Sequence, residues 1–398
     1  MARWMSLPNG RVRLSAQHAD PRSTDHPWIY AGHITETVGT PQAGDVVDVY
    51  SSTKQFCGRG FYNPHSKIRV RLLTHREEPI DEQFFRARLE SAVRLRERLA
   101  LRSDAYRLVY GESDLLPGLI LDQYHDVAVM QMLSYGLDCR KDMLADLLLE
   151  QRSWRALYLR NDAKSRALEG LSTERMCLRG EVAGPVEIVE GGAGFLVDVA
   201  EGQKTGWFCD QRDNRMAVAR LAKGLDVLDV FCHTGGFGIH AALEGAHSVE
   251  GIDASEAALR LARHHAGANR VEKLCRYRRA DAFDELRALE RSGRRYGMVI
   301  LDPPAFARSR HAVRHALTGY RELNVQALKV LMPEGFLVTC SCSHHVSEEE
   351  FGSMVQAAGR DAHRQLRLIE QRSQGPDHPV LAAMPETRYL KCFLVQVF

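Results

Sequence analysis

The sequence predicts an α/β protein whose C-terminal half is a doubly wound, mostly parallel sheet, preceded by a small β module and an α+β segment. Three observations predict it. From about residue 195 onward an apolar strand, a glycine loop and a helical pattern alternate repeatedly, which is the signature of βα units. Residues 1–76 read instead as short strands between turn signals. Between these regions helical and strand-like runs mix, and 398 residues are enough for two or three domains. Boundaries are expected at 1–76, 77–190 and 191–398.

In the first module Val46–Tyr50 reads as a strand, Gly58 and Gly60 follow, and Ile68–Leu72 alternates Arg with apolar residues. That alternation predicts a strand with one wet, basic face. Phe85, Leu89, Val93 and Leu99 fall near helical spacing within 81–101. Residues 111–124 hold a Pro-Gly turn and a short apolar run, 127–133 alternate like a strand, and 140–150 look helical. Farther on, Val227–Phe231, Ser248–Asp253, Met298–Asp302 and Phe336–Cys340 are strand candidates. A helix is expected over Val313–Leu331, where Leu317, Tyr320, Leu323, Ala327 and Leu331 share a face. In sheets of this kind ligands bind beyond the carboxyl ends of the strands.

Apolar residues make up 44% and charged residues 26%, a globular mixture that excludes a largely disordered or collagen-like chain. The longest stretch without Asp, Glu, Lys or Arg is Val230–Leu243, 14 residues with three Gly and two His, too short to span a bilayer. The opening MARWMSLPNGRVRL has no apolar core of leader length, so a cytoplasmic protein is expected. The net charge is +2, yet residues 1–76 carry 10 basic and 5 acidic side chains. A basic end on a near-neutral chain fits a nucleic-acid partner. Arg outnumbers Lys 44 to 9. That bias suits bidentate phosphate contacts, and a high-GC genome produces it too. The nine Cys are odd in number and include no CxxC pair, so neither a disulfide framework nor a metal site is expected.

Four motifs carry the chemistry, each at an expected strand end. In VLDVFCHTGGFGIHAAL (227–243) a strand runs through Asp229 and Phe231 into a loop with Gly235, Gly236 and Gly238. These glycines allow close backbone approach, but the G-x-G-x-x-G spacing of a dinucleotide site is absent. Asp229 would repel a pyrophosphate and suits an ammonium. Val249–Asp253 ends in an acidic residue 24 positions later, where a carboxylate binds ribose hydroxyls, and Asp281 ends a third run. Asp229, Asp253 and Asp281 together suit the amine, ribose and adenine of S-adenosylmethionine; solvated acidic loops are the alternative. The third motif, Val299 to Phe306, ends a strand in Asp302-Pro303-Pro304, a stiff loop able to hold a carboxylate against a base, with Phe306 placed to stack on it. The fourth, Phe336 to Ser343, runs into Cys340 and Cys342. A thiolate adding to cytosine C6 would activate C5 for methylation. In a regular strand both thiols would share a face, so periodicity does not choose between them, and two core thiols are the alternative.

Nearly the whole chain resembles the bacterial ribosomal RNA large-subunit methyltransferases that form 5-methylcytosine in 23S rRNA. The resemblance lies in HPWIYAGHI (26–34), Gly44-Asp45, GRGFYNPHSKIRVR (58–71), GESDLLPGLILDQY, GQKTGWFCDQRDNR (202–215), VLDVFCHTGGFGIHAA, LDPPAF, GYRELN (319–324) and VTCSCS. It implies a class I, Rossmann-like methyltransferase domain, an N-terminal PUA domain and a small α+β middle domain. The implied cofactor is S-adenosylmethionine, lined by Asp229, Phe231, Gly235, Gly236, Asp253 and Asp281 and closed over by Gln211. By the family pattern Cys342 is the nucleophile and Asp302 holds the N3/N4 edge of the cytosine. Arg59, Lys67, Arg69 and Arg71 are expected to grip RNA phosphates, and a homodimer is expected. The sequence departs from many RNA cytosine-C5 methyltransferases in having Pro304 and Ala305 where a second, product-releasing Cys would stand, and Cys340 is an additional thiol. Competing expectations are a guanine N-methyltransferase using the Asp302 loop, a non-catalytic assembly factor that binds RNA, and a small-molecule methyltransferase.

Overall fold

The computed structural model describes residues 8–17, 21–307 and 309–398. Residues 1–7 of the opening segment MARWMSLPNGRVRL lie outside them. The chain forms two compact units. The first comprises Met1–Ile188, Val197–Cys209 and Pro376–Thr387. It contains a six-stranded sheet in the order Trp28–Tyr30, Ile68–Thr74, Phe56–Tyr62, Val46–Tyr50, Gly10–Leu14 and Ile34–Gly39. Val12, Ile29, Val47, Val49 and Val70 form its core. A five-stranded sheet follows, in the order Glu174–Gly180, Ala156–Asn161, Val127–Met132, Leu119–Tyr124 and Ala105–Tyr110. The helices Glu82–Leu99 and Lys141–Gln151 belong with it. Sequence patterning separates these sheets at residue 76, yet Val46, Phe61 and Leu73 share one apolar core with Phe84, Phe85 and Leu89. The segments 197–209 and 376–387 return to this unit from far along the chain.

The second unit comprises Val189–Leu196, Asp210–Gly375 and Arg388–Phe398. We number its strands β1 (Asp226–Val230), β2 (Ser248–Asp253), β3 (Cys275–Arg279), β4 (Tyr296–Leu301), β5 (Leu331–Ser341), β6 (Leu366–Arg372) and β7 (Lys391–Val397). Its helices are α1 (Arg212–Ala219), α2 (Gly236–Leu243), α3 (Glu256–Ala268), α4 (Ala282–Ser292), α5 (Val313–Lys329) and α6 (Glu348–Asp361). The sheet order is β3-β2-β1-β4-β5-β7-β6, with β7 antiparallel to both neighbours. This is the class I methyltransferase arrangement, and its central strands are buried on both faces, as their unbroken apolar runs require. α2 is apolar nearly all round and is itself buried. Asp281 caps α4, Ser255 caps α3, and Ser347 with Glu350 forms a capping box at α6. Among the described residues no helix is long and apolar enough to cross a membrane.

Candidate active site

β1 ends at Val230, one residue earlier than its apolar run suggests, because Phe231 and His233 adopt left-handed backbone with φ of 64° and 49°. Such conformations cost a non-glycine residue energy and cluster at functional sites. Gly235, with φ 84°, completes the turn, and a Cβ there would lie 2.8 Å from Tyr277 Oη. Gly236 opens α2 and is buried. Asp229 is 1% exposed, and its Oδ2 accepts from the Gly238 backbone N–H at 3.0 Å. A Cβ at Gly238 would sit 2.7 Å from Val249 and 3.2 Å from Asp229 Oδ2, so glycine is what permits that bond. Asp229 Oδ1 is buried with no hydrogen-bond partner. Burial pushes this carboxyl up to about 8, opposed by the Gly238 N–H and reinforced by Asp302 and Asp253.

Asp253, at the end of β2, accepts from the His233 N–H at 2.9 Å and from the Ser255 N–H at 2.8 Å, so it fixes the glycine loop. Asp281 is exposed, and its Oδ1 accepts from the N–H groups of Phe283 and Asp284. Sequence reasoning missed His265. Its Nε2 accepts from the Leu196 N–H at 2.9 Å, so its Nδ1–H donates to Thr234 O at 3.0 Å, and the buried ring is neutral. The residues fit S-adenosylmethionine. The orphaned buried oxygen of Asp229 offers an ammonium the acceptor and the charge it needs, and Asp253 and Asp281 present carboxylates at the neighbouring strand ends.

Asp302 lies just beyond β4, and its N–H reaches Val230 O at 3.4 Å. Gln211 directs its amide to Asp302: its Nε2 donates to Asp302 Oδ1 at 3.0 Å, and its Oε1 accepts from Asn214 Nδ2 at 2.7 Å. Gln211 is 3% exposed, with one end of its amide on Asp302 and the other on Asn214. Phe306 packs its ring on Tyr320, centroids 4.6 Å apart, and is half-buried against the core. Placed there, it stiffens the Asp302 loop.

The two thiols are distinguished by the end of β5 at Ser341. Cys340 lies inside the strand, paired with Cys392 in register, and is 0% exposed. Its hydrogen bond with the Cys392 thiol and its burial push it well above the usual thiol range. Cys342 stands beyond the strand and is partly exposed. Tyr320 ties this end together, since its hydroxyl lies 3.0 Å from Ser341 Oγ and 3.0 Å from Ser343 Oγ. The Ala307 N–H donates to Ser343 Oγ at 3.2 Å, which joins the Asp302 loop to the Cys342 segment. The GYRELN motif was a resemblance in sequence; its tyrosine proves to be the hub. Lys391, which no pattern flagged, sends its buried ammonium to three carbonyls beside Cys342. Among the described residues no group of three or more His, Cys, Asp or Glu could hold a metal.

In the first unit the expected phosphate-gripping face is largely consumed by internal pairs. Arg71 is buried and bridges Glu112 at 3.1 Å and Glu169 at 3.0 Å. Arg59 bonds to Asp48 at 2.7 Å and to Glu78 O. Alternation alone could not reveal that the supposedly wet face is covered by acidic partners from distant segments. Lys67 is exposed, and Arg69 is half-buried with a bond to Asn63 O.

Residues 12–75 match the PUA-like domain family, and residues 150–394 match the S-adenosylmethionine-dependent methyltransferase family. The chain is 40% identical over 395 residues to the Ribosomal RNA large subunit methyltransferase I of Shewanella denitrificans, covering 97% of this chain and 100% of the relative. It is 39% identical to the protein of the same name from Pseudoalteromonas atlantica, covering 98% and 100%. Among solved structures SMU.776, described as a candidate methyltransferase and crystallised with S-adenosylhomocysteine, superposes with a TM-score of 0.84 at 20% identity, over 97% of this chain and 99% of that one. S-adenosylmethionine is thus the cofactor of the second unit. On the identity and coverage of these relatives, the chain belongs to the ribosomal RNA large subunit methyltransferase I family.

Proposed function

We propose that this protein methylates C5 of a cytosine in large-subunit ribosomal RNA, with Cys342 as nucleophile. The observation that carries the reading is the division of labour between the two thiols. Cys340 is sealed in the sheet with Cys392, while Cys342 is partly exposed beyond the same strand end that is tied to the Asp302 loop. The relatives' name supports an RNA substrate.

When bound, the cofactor supplies an electrophilic methyl group. The chain does the rest. The target base must leave its stack to reach the strand end. The Cys342 thiolate then forms a bond to C6, and the displaced electron pair makes C5 nucleophilic. Asp302, held by Gln211, faces the N3/N4 edge, where a carboxyl favours protonation of N3 during attack. Once C5 carries the methyl group, loss of the C5 proton and cleavage of the C6–S bond restore the aromatic ring and return the thiolate. Lys67 and Arg69 remain as phosphate contacts, and their share of binding weakens with salt.

The test uses large-subunit rRNA lacking the modification, purified enzyme and methyl-labelled S-adenosylmethionine, with nucleosides identified by mass spectrometry. Label in 5-methylcytidine that disappears with Cys342→Ala supports the reading. Label in a methylated guanosine, unchanged by Cys342→Ala, would move the chemistry to the Asp302 loop. No transfer despite cofactor binding would favour an assembly factor.

A further inference from the structure

Lys391 opens β7 directly across from Ser341, the last residue of β5, so it flanks the point where Cys342 leaves the sheet. Its Nζ donates to Ser343 O at 2.7 Å, Val346 O at 2.8 Å and Tyr389 O at 2.8 Å. These bonds use all three ammonium hydrogens. Two of the carbonyls belong to the turn that follows Cys342, so the ammonium holds that turn by its backbone while the Tyr320 hydroxyl holds it by the Ser343 side chain.

The lysine is 5% exposed, and among the described residues no carboxylate lies within 4.0 Å of its Nζ. A buried cation without a counter-ion is costly, and carbonyl dipoles compensate only part of the loss. Burial accordingly lowers the ammonium to about 8, while a thiolate at Cys342 opposes that fall. The cage therefore holds a positive charge that bonds the residue after Cys342, on a lysine paired across the sheet with the residue before it.

We propose that Lys391 is a positioning residue for Cys342: it fixes the 343–346 turn so that the thiol stands beyond the strand end, and its charge holds that thiol as thiolate. Only the catalytic consequence rests on reading Cys342 as the nucleophile. Its ionisation is measurable without RNA. The titratable groups around the pair are Tyr320 on α5, Glu348 and Glu350 on α6, and His344 stacked on Tyr389.

The full-length protein is alkylated with iodoacetamide between about pH 6 and 10, and peptide mass spectrometry follows Cys342, with exposed Cys139 as internal reference. In the wild type the Cys342 midpoint lies below the ordinary thiol value of about 8.5. In Lys391→Met, with S-adenosylmethionine binding retained, it rises by about one unit, so alkylation near neutral pH slows roughly tenfold while Cys139 is unchanged. Lys391→Arg keeps the charge and shifts the midpoint back toward wild type. A wild-type midpoint at or above about 8.5 overturns the proposal without recourse to any variant. So does a Lys391→Met protein that binds cofactor and alkylates like wild type, which leaves Lys391 a structural tie. Finding the methyl group on guanosine would defeat the cytosine reading and leave the Cys342 midpoint standing.

Discussion

Gln211 donates its side-chain amide to Asp302 Oδ1 at 3.0 Å across 91 residues of sequence. The bond joins the segment before α1 to the loop after β4 and makes Gln211 an orienter of the carboxylate. Gln211→Ala is expected to lower kcat by roughly tenfold to a hundredfold through misorientation of Asp302, with the dissociation constant for S-adenosylmethionine unchanged. Gln211→Glu lowers it further, because two carboxylates then face each other. Calorimetry alongside steady-state kinetics checks this. An equal loss of cofactor affinity would place Gln211 in the cofactor site instead.

Asp229 couples binding to stability. Its carboxyl is raised to about 8 by burial, so the cost of keeping it grows as pH rises from its ordinary range toward 8. Asp229→Asn is expected to stabilise the free protein near neutral pH by a few kcal/mol, on the order of 2–4, and to abolish cofactor binding. The wild-type carboxyl ionises more readily with rising pH, so cofactor affinity should climb between pH 6 and 8. Urea midpoints and binding isotherms across that window test both statements, and a pH-independent affinity contradicts them.

Cys340→Ala removes a thiol sealed against Cys392. The expected cost is about 1 kcal/mol of stability from the small cavity, with methylation retained within a few-fold. If this variant is inactive while Cys342→Ala is active, the roles of the two thiols are reversed.

Arg71 and Lys67 should separate structure from recognition. Arg71→Met strands Glu169, whose carboxyl Arg71 holds low against its burial, and should cost about 3–5 kcal/mol. Lys67→Ala leaves stability unchanged and lowers RNA affinity, with the salt slope reduced by about one. Thermal unfolding and filter binding at two salt concentrations distinguish them.

Glu190 predicts an acid response. Although burial would raise its carboxyl, Arg215 and His240 hold it at about 2. Arg215 contacts it through Nε and Nη2, both at 2.6 Å, with His240 Nε2 at 3.2 Å. Its native pKa is depressed, so its contribution is fully present above pH 4.5 and is lost as pH falls toward 2. Arg215→Met should therefore destabilise by about 3–5 kcal/mol near neutrality, and the gap from wild type should narrow on acidification. A gap that stays constant from pH 7 to 3 refutes the assignment.

Much of the site was legible in the chain because βα units announce themselves. Asp229, Asp253 and Asp302 each follow an apolar run, and a parallel sheet brings the ends of such runs together. Gly235 and Gly238 were legible for a similar reason, since close approach and positive φ call for a residue without Cβ. What stayed hidden were partners that patterning cannot pair. Arg71 looked like a wet cation because its acidic partners lie 41 and 98 residues away. The bond from Gln211 to Asp302 spans 91 residues and no local pattern announces it. Lys391 carried no signal, and Tyr320 showed only as a helix-face residue within GYRELN, because their roles lie in hydrogen bonds made between separate elements.

The sequence by itself determined the βα alternation, the carboxylates at the strand ends and the glycines that bend the loop between them, since periodicity and backbone freedom are local properties. Only the tertiary structure decided which of Cys340 and Cys342 is sealed and which stands open. A regular strand would put both on one face, and the choice depends on where β5 ends and on Cys392 arriving opposite Cys340 from the antiparallel β7. Burial, and with it the ionisation of a thiol, a lysine or an aspartate, is set by what packs against a residue from elsewhere in the chain.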